Sequence, residues 1–563
     1  MNFKLISTSL FGLFVFSILY FLYPGFMNFH EQNQLFLFTK DYFADRITTC
    51  GGLADYVSEF LVQFFYVPAY GAWIYAIVLC AIQLLTFSAF EDKDGKKYFL
   101  SFLPSILIFL YSGNENLLLS FSMSIIFVLL YIKLSQKNLN LSLMLLSLNY
   151  WLIGAMCAVN SVFVGYKLIK NKKYAFAVLL PIIYCLSAVC FTYIMPHQYP
   201  VKQVLLGINY YRIPGHYHFM MFFIPAVVAA TVILSVKIKI KIDSILLFAA
   251  QYSAILLSFL LVNFTYDDLK FRLINYDYLL RHKCYNNIIH QSQKHQPETD
   301  FERVCINFSL AQKGILAERM FDYAQSGCGG LLSDAVLDNM SCLPSMEACF
   351  YLGMTNTALQ FAFDSQEAIM NNRKSGRLLK RMAECFIVNG GYEAAKHYLS
   401  ILSHSLYYSD WAEENLKAID SGNESGLDSM CLTLRQLRFK EDFIFYYPEL
   451  PKMLGKLYTE DRTNTLARQY FYASMLLKRD LQSFVSFYLG LKEPTANLPK
   501  SFQQAWAMVW SGTHSDFSEI PVELSSETKQ QLMEVAKHYM SDRNADNLLR
   551  KHGFNFWTYY FMN

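Results

Sequence analysis

Charge is what this chain has least of: only 17% of its 563 residues are Asp, Glu, Lys or Arg, against roughly 25% in an ordinary soluble domain. The 12 cysteines are scattered, with no C-x-x-C pair and no Cys/His cluster at zinc-ligand spacing, so no structural metal site is expected. There is no glycine-rich phosphate loop, zinc-binding helix or serine nucleophile turn. A net charge of +3 leaves out nucleic-acid binding. Disorder is excluded by what is abundant, since 54% of residues are hydrophobic and 48 are Phe and 39 Tyr; such a chain buries surface.

The scarcity of charge is uneven. Residues 1–264 carry 17 basic and 10 acidic side chains, whereas residues 265–563 carry 31 and 35. The first part has a membrane composition and the second a globular one, so the expected fold class is all-α, a polytopic membrane domain (1–264) followed by a soluble helical-repeat domain (265–563). Apolar runs of membrane length fall at 5–23, 70–90, 98–112, 117–134, 174–195, 217–236 and 244–264. An eighth stretch, 141–169, is interrupted by Asn149, Gly154, Asn160 and Gly165. Read as a pair of short helices that enters and returns, it leaves 13 basic residues on one side and 4 on the other; read as one span it leaves 8 and 9. The positive-inside rule selects the pair. The expectation is about nine membrane segments in a bacterial inner membrane, with a cytoplasmic amino terminus and a periplasmic carboxyl-terminal domain.

Between the first two spans, residues 30–44 and 53–66 have the pattern of amphipathic helices lying in the membrane interface, hinged at Gly51-Gly52 and stopped at Pro68. In the second of them Leu53, Tyr56, Val57, Phe60, Leu61 and Phe64 form one stripe, with Asp55, Glu59 and Gln63 off it. On the same expected side lie Glu31, Asp41 and Asp45, the tight turn Gly113-Asn114-Glu115-Asn116, and an aromatic loop at 196–218 holding Lys202, Arg212, His216 and His218. Carboxylates in one loop and cations in another suit a phosphate-bearing substrate. Each of these residues also has a structural reading: the acids as solvated helix faces, Glu115 as a charge favourable to the start of a helix, and the cations as contacts to lipid phosphate.

A first span, a long first loop with two juxtamembrane helices, an acid early in that loop (Glu31), an acidic turn before the fourth span (Glu115) and a broken pair at 141–169 together resemble the conserved module of the GT-C membrane glycosyltransferases. In that family the first-loop acid is the general base or positions the sugar hydroxyl, the donor is a polyprenyl-phosphate-linked sugar, and cations hold its phosphate. The resemblance implies Glu31 as base, with Asp41 or Asp45 as substitutes. It implies Arg212 or Lys202 as the phosphate holder, with Glu115, His216 and His218 completing a substrate-binding set. His30-Glu31-Gln32-Asn33 departs from the Asp-containing motif usual there. The chain as a whole also resembles an uncharacterised family of multi-spanning bacterial membrane proteins.

From Tyr266 onward helical stretches alternate with short turns, and Ala317, Ala358 and Ala394 open similar segments 41 and 36 residues apart. Gly391-Tyr392-Glu393-Ala394-Ala395 is similar to the turn and second-helix start of tetratricopeptide repeats, whose period is about 34. That resemblance implies a solenoid binding a protein or peptide partner, a layout similar to membrane O-mannosyltransferases with repeat tails. Two functions stay open: a glycosyltransferase-like enzyme, and a non-catalytic membrane-anchored scaffold for envelope assembly.

Overall fold

The computed structural model describes residues 3–90, 97–196, 198–213, 215–235, 244–334, 338–441, 445–514 and 516–562. Helices account for its regular structure, and among the described residues the only β pairing is one antiparallel bridge, Leu117 with Tyr211. The chain divides into two compact units. The first is Met1–Asn275 together with Ile369–Arg377 and Ser400–Ala412; the second is Tyr276–Ala368, Leu378–Leu399 and Glu413–Asn563.

Five helical stretches among the described residues are long and apolar enough to cross a membrane: Lys4–Leu22, Pro68–Ala89, Leu119–Lys137, Leu146–Lys170 and Tyr174–Ile194. Tyr98–Tyr111, Met220–Ser235 and Tyr252–Val262 are apolar but shorter. The helices of the first unit are α1 (Phe3–Ser17), α2 (Pro24–Glu31), α3 (Lys40–Ile47), α4 (Gly52–Val62), α5 (Pro68–Ala89), α6 (Phe102–Tyr111), α7 (Leu119–Lys137), α8 (Leu139–Met144), α9 (Leu146–Ile153), α10 (Cys157–Lys170), α11 (Tyr174–Ile194), α12 (Val201–Leu206), α13 (Met220–Ser235) and α14 (Ser244–Thr265), and α15 (Asp268–Arg281) begins in the first unit and ends in the second. Pro24 and Pro68 each open a helix, α2 and α5. Proline's fixed φ and missing N–H cost nothing at that position.

The stretch Leu146–Lys170 reverses inside its length. Gly154 takes φ +72° between α9 and α10, a conformation that side chains with a Cβ disfavour. The Ser142 carbonyl accepts from the Tyr131 hydroxyl, and the Ser135 carbonyl accepts from Lys167 Nζ at 3.2 Å. Tyr131 and Ser135 are one turn apart on α7, so both ends of 142–167 return to the same end of that helix. The apex meets the other loops: Gly51 N–H donates to the Trp151 carbonyl at 2.7 Å, and a Cβ on Gly154 would stand 3.2 Å from the Tyr210 hydroxyl.

The lysines gather at the end away from this apex. Tyr98 OH donates to the Lys4 carbonyl (2.7 Å), Gln136 Nε2 to Ala89 (2.7 Å) and Lys97 Nζ to Ser235 (2.6 Å). These bonds, with that of Lys167, tie the starts of α1 and α6 to the ends of α5, α7, α10 and α13. Lys93, Lys96, Lys237, Lys239 and Lys241 lie outside the described residues.

The first loop differs from the expected pair of interfacial helices. Residues 30–44 are not one helix: α2 ends at Glu31, α3 begins at Lys40, and the chain between is non-helical. There the Leu35 and Phe38 N–H groups donate to the carbonyls of Lys374 and His404, both at 2.8 Å, which satisfies the backbone without a helix. In α4 the burial is the reverse of the usual amphipathic rule. Asp55 and Glu59 are buried, while Leu53, Tyr56 and Val57 are half-buried and Phe60 is exposed.

In the second unit α16 (Tyr285–Ser292) packs on α17 (Asp300–Gln312), and α19 (Leu343–Leu352) on α20 (Thr355–Glu367), with the short α18 (Leu316–Arg319) between the pairs. α21 (Gly376–Asn389) enters this unit at Leu378 and leads to α22 (Tyr392–Leu402). Three of the turns share one device, a glycine of positive φ two residues before the next helix: Gly314 (+72°), Gly353 (+90°) and Gly390 (+77°). The small residue buried after the last turn is Ala395, fully enclosed, while Ala394 is only half-buried. None of the twelve cysteines is bonded to another.

The turns are not equally demanding. A Cβ on Gly390 meets nothing within 4 Å, whereas one on Gly353 would stand 2.5 Å from the Leu437 carbonyl. Gly390→Ala is expected to destabilise by about 1 kcal/mol, the strain of left-handed backbone alone. Gly353→Ala should cost more, and thermal unfolding of the two variants will rank them in that order.

Candidate functional site

Two polar centres occur in the first unit outside its membrane-length helices. The first is built on the α3–α4 hairpin. Its turn requires glycine twice, since Gly51 has φ +83° and a Cβ on Gly52 would stand 1.9 Å from the Arg46 carbonyl. Asp55 and Glu59 follow one turn apart on α4. Arg46 Nε donates to Glu59 at 2.8 Å, Arg373 Nε to the other Glu59 oxygen at 3.0 Å, and Arg373 NH2 to Asp55 at 2.6 Å. The Tyr42 hydroxyl also donates to Glu59.

Glu59 is completely buried, and Asp55 and Arg373 nearly so. Burial alone raises a carboxyl pKa. For Asp55, with Arg373 bound directly and Glu59 close by, burial prevails and the value is pushed up to about 6. For Glu59 burial acts the same way, but Arg46 and Arg373 outweigh it and hold the carboxyl below its ordinary range. Two acids and two guanidiniums make the group neutral as a whole.

The second centre lies where α2 ends. Glu31 is buried, and Tyr408 OH donates to its Oε1 at 2.9 Å. Arg377 NH1 donates to Gln32 Oε1 at 2.9 Å. The Gln34 N–H closes a turn onto the Glu31 carbonyl at 3.1 Å. His30 is buried against the Phe26 ring, and burial, reinforced by the nearby Arg212 cation, drives its imidazole down to about 3, so it is neutral at ordinary pH.

Arg212 is carried to this point by the loop before α13. Its N–H donates to the Asn116 carbonyl at 2.8 Å and Leu118 N–H donates to Tyr210 at 2.9 Å, which lays the loop on the turn after α6. Its guanidinium donates twice to Asn116 Oδ1, at 3.1 and 2.7 Å, and lies 4.8 Å from the Phe29 ring centre. Glu115 in the same turn pairs with Lys270 at 2.8 Å. Gly113 permits the turn, because a Cβ there would stand 2.5 Å from the Thr265 carbonyl.

The structure therefore brings Arg212 onto the turn of α2 that carries Glu31, and Glu115 beside the asparagine that holds Arg212. His218 stacks on Tyr111 and His216 meets the edge of Tyr211, at 5.2 and 5.4 Å between ring centres. Lys202 Nζ is 5.8 Å from the Tyr217 ring centre. Asp41 and Asp45 stand on α3 instead, Asp41 exposed and Asp45 3.6 Å from Arg46, with the first centre. Sequence reasoning missed Arg46, Arg373, Arg377, Tyr408 and Lys270. No local pattern marks them, because their partners lie 13 to 377 residues away.

Between α10, α11, α12 and α13 runs an apolar groove of about 630 Å³. Its lining includes Met156, Val159, Leu205, Met221, Ala226 and Ala229, with hydroxyls only from Tyr184 and Tyr210. Both hydroxyls are already engaged, Tyr184 donating to the Leu205 carbonyl at 2.8 Å and Tyr210 to Ile153 at 2.6 Å. The segments lining this groove are those that carry the candidate cations. Lys202 precedes Leu205 by three residues, Arg212 follows Tyr210 by two, and His218 precedes Met221 by three.

Among the described residues no three His, Cys, Asp or Glu side chains group as a metal site. Over its whole length, residues 1–563, the chain matches a family of unknown function, DUF6057, and belongs to it. No curated protein and no solved structure matches it.

Proposed function

We propose that this member of the DUF6057 family is a GT-C-like glycosyltransferase of the bacterial inner membrane, moving a sugar from a polyprenyl phosphate to a hydroxyl acceptor on the extracytoplasmic face. The observation that carries the reading is the place of Arg212. It sits on Phe29, two residues from the buried Glu31 and two residues from the groove-lining Tyr210. In this reading Glu31 is the base, Arg212 the phosphate holder and the apolar groove the channel for the lipid chain.

In this reading Glu31 takes the proton of the acceptor hydroxyl as its oxygen bonds to the anomeric carbon. The bond from that carbon to the phosphate oxygen breaks, and its electron pair leaves on the phosphate, whose charge Arg212 stabilises, with Lys202 as a second cation. Asn116 positions Arg212, and the neutral His30 adds no competing charge. The helix–glycine–helix pairs of the second unit serve in this reading as tetratricopeptide-like repeats that present a protein acceptor. The gathering of lysines at the opposite end of the first unit supports that end as cytoplasmic.

A second reading, a non-catalytic scaffold, is favoured by the α3–α4 centre, whose buried charges neutralise one another. Turnover separates the two. The full chain in nanodiscs is expected to release polyprenyl phosphate from a radiolabelled polyprenyl-phosphate sugar. Ala226→Trp, which fills the groove, should lower that rate about tenfold, the loss expected from excluding two methylenes at roughly 0.8 kcal/mol each. A folded wild-type chain that turns over no labelled donor decides for the scaffold.

A further inference from the structure

The turn after Glu31 holds polar atoms that the protein leaves unused. Gln34 is 1% exposed, and both its amide oxygen and its amide nitrogen lack a hydrogen-bond partner among the described residues. Gln32 is 4% exposed, and its Nε2 lacks one too. The orientation of the Gln32 amide is fixed by chemistry, because Arg377 can only donate and therefore faces the oxygen. The large majority of buried side-chain polar atoms are ordinarily paired. Three unpaired amide atoms on two neighbouring glutamines, beside a buried carboxylate, are the mark of a place where something else supplies the partners.

Their chemistry narrows what that is. The set contains both donors and an acceptor, which an anion or a cation alone does not satisfy and an apolar group does not satisfy at all. Hydroxyl groups, each a donor and an acceptor, do. An aromatic ledge is linked to the same turn through Tyr408. The Tyr66 and Tyr407 rings are stacked, with centres 4.6 Å apart and planes 15° apart, and both are half-buried. Tyr66 also meets the edge of Tyr408, whose hydroxyl holds Glu31. Amides for ring hydroxyls and an aromatic face for ring C–H groups are the two requirements of a sugar.

We infer that Gln32, Gln34 and the Tyr66–Tyr407 ledge bind a neutral sugar ring beside Glu31. The inference rests on the proposed function for the role of Glu31, but the site itself is tested by binding, without turnover. The probes are methyl glucoside, methyl mannoside and methyl N-acetylglucosaminide, followed by saturation-transfer NMR on the full chain in nanodiscs. At least one is expected to bind saturably, and Gln34→Leu to weaken it about tenfold, as the loss of one or two neutral hydrogen bonds does.

Without sugar, Gln34→Leu should melt no lower than wild type, since it removes an unpaired buried amide. Tyr407→Ala, at a half-buried position, should weaken binding in the same assay. The inference is overturned if no glycoside binds the wild type, if Gln34→Leu and Tyr407→Ala bind as tightly, or if Gln34→Leu melts lower in the absence of sugar, which would mean that ordered water already completes the amide. Sugar binding without lipid-donor turnover keeps the site and removes the transferase reading. Turnover without an effect of Gln34→Leu does the reverse.

Discussion

Glu31→Gln is expected to lower glycosyl transfer by about 10²- to 10⁴-fold, the usual worth of a positioned general base, while leaving the amount of folded protein unchanged. The substitution is close to isosteric and keeps an oxygen for the Tyr408 hydroxyl, which donates to Glu31 Oε1 at 2.9 Å. What it removes is the ability to accept a proton. Tyr408→Phe removes the donor instead and leaves the carboxylate in place, so it should reduce transfer far less. A radiolabelled donor assay on purified variants, with melting temperatures measured in parallel, separates loss of chemistry from loss of fold. Full activity in Glu31→Gln would end the assignment of this residue as the base.

The second large effect is on stability. Glu59 receives Arg46, Arg373 and Tyr42 in an environment closed to water. Glu59→Gln leaves two buried guanidiniums with Asp55 as their remaining buried acid, and removing one partner of such a group costs about 3–5 kcal/mol. Asp55→Asn should cost less, because Glu59 still holds both arginines. The two acids also respond to pH with opposite sign. The native Asp55 holds its proton more tightly than an unfolded aspartate, so its contribution is full below its ordinary value of 3.8 and is lost as pH rises through about 6. Glu59, held low, contributes above its ordinary value of 4.5 and loses that contribution on acidification. The melting temperature of wild type relative to Asp55→Asn should therefore fall between pH 3.8 and about 6. A flat difference would show that Asp55 titrates in the folded protein as it does in the unfolded chain.

What the sequence revealed and what it hid follow from the range of the interactions involved. The reversal at Gly154 was legible because a glycine among polar interruptions breaks a helix locally, and the alternating turns of the second unit were legible for the same reason. Glu31, Glu115 and Arg212 were grouped from the sequence by an expected side of the membrane, and in the structure Arg212 meets Phe29 and Asn116, neighbours of those two acids. The face of α4 was misread. An isolated amphipathic helix turns its acids to water, and nothing near Asp55 or Glu59 indicated that Arg373, 314 residues beyond Glu59, would neutralise them. Tyr408 was hidden likewise, 377 residues from Glu31.

That separation has a consequence for biosynthesis. The first unit includes Ile369–Arg377 and Ser400–Ala412, so Glu31, Asp55 and Glu59 wait on the nascent chain for partners that the ribosome adds only after most of the second unit's first helices. Until then Glu59 has only Arg46 and Tyr42 of its three partners, and Glu31 lacks Tyr408. A fragment stopped near Asn275 would freeze the protein at that stage, with its acids short of their cations, and only a chain synthesised through Ala412 can complete the unit that begins at its amino terminus.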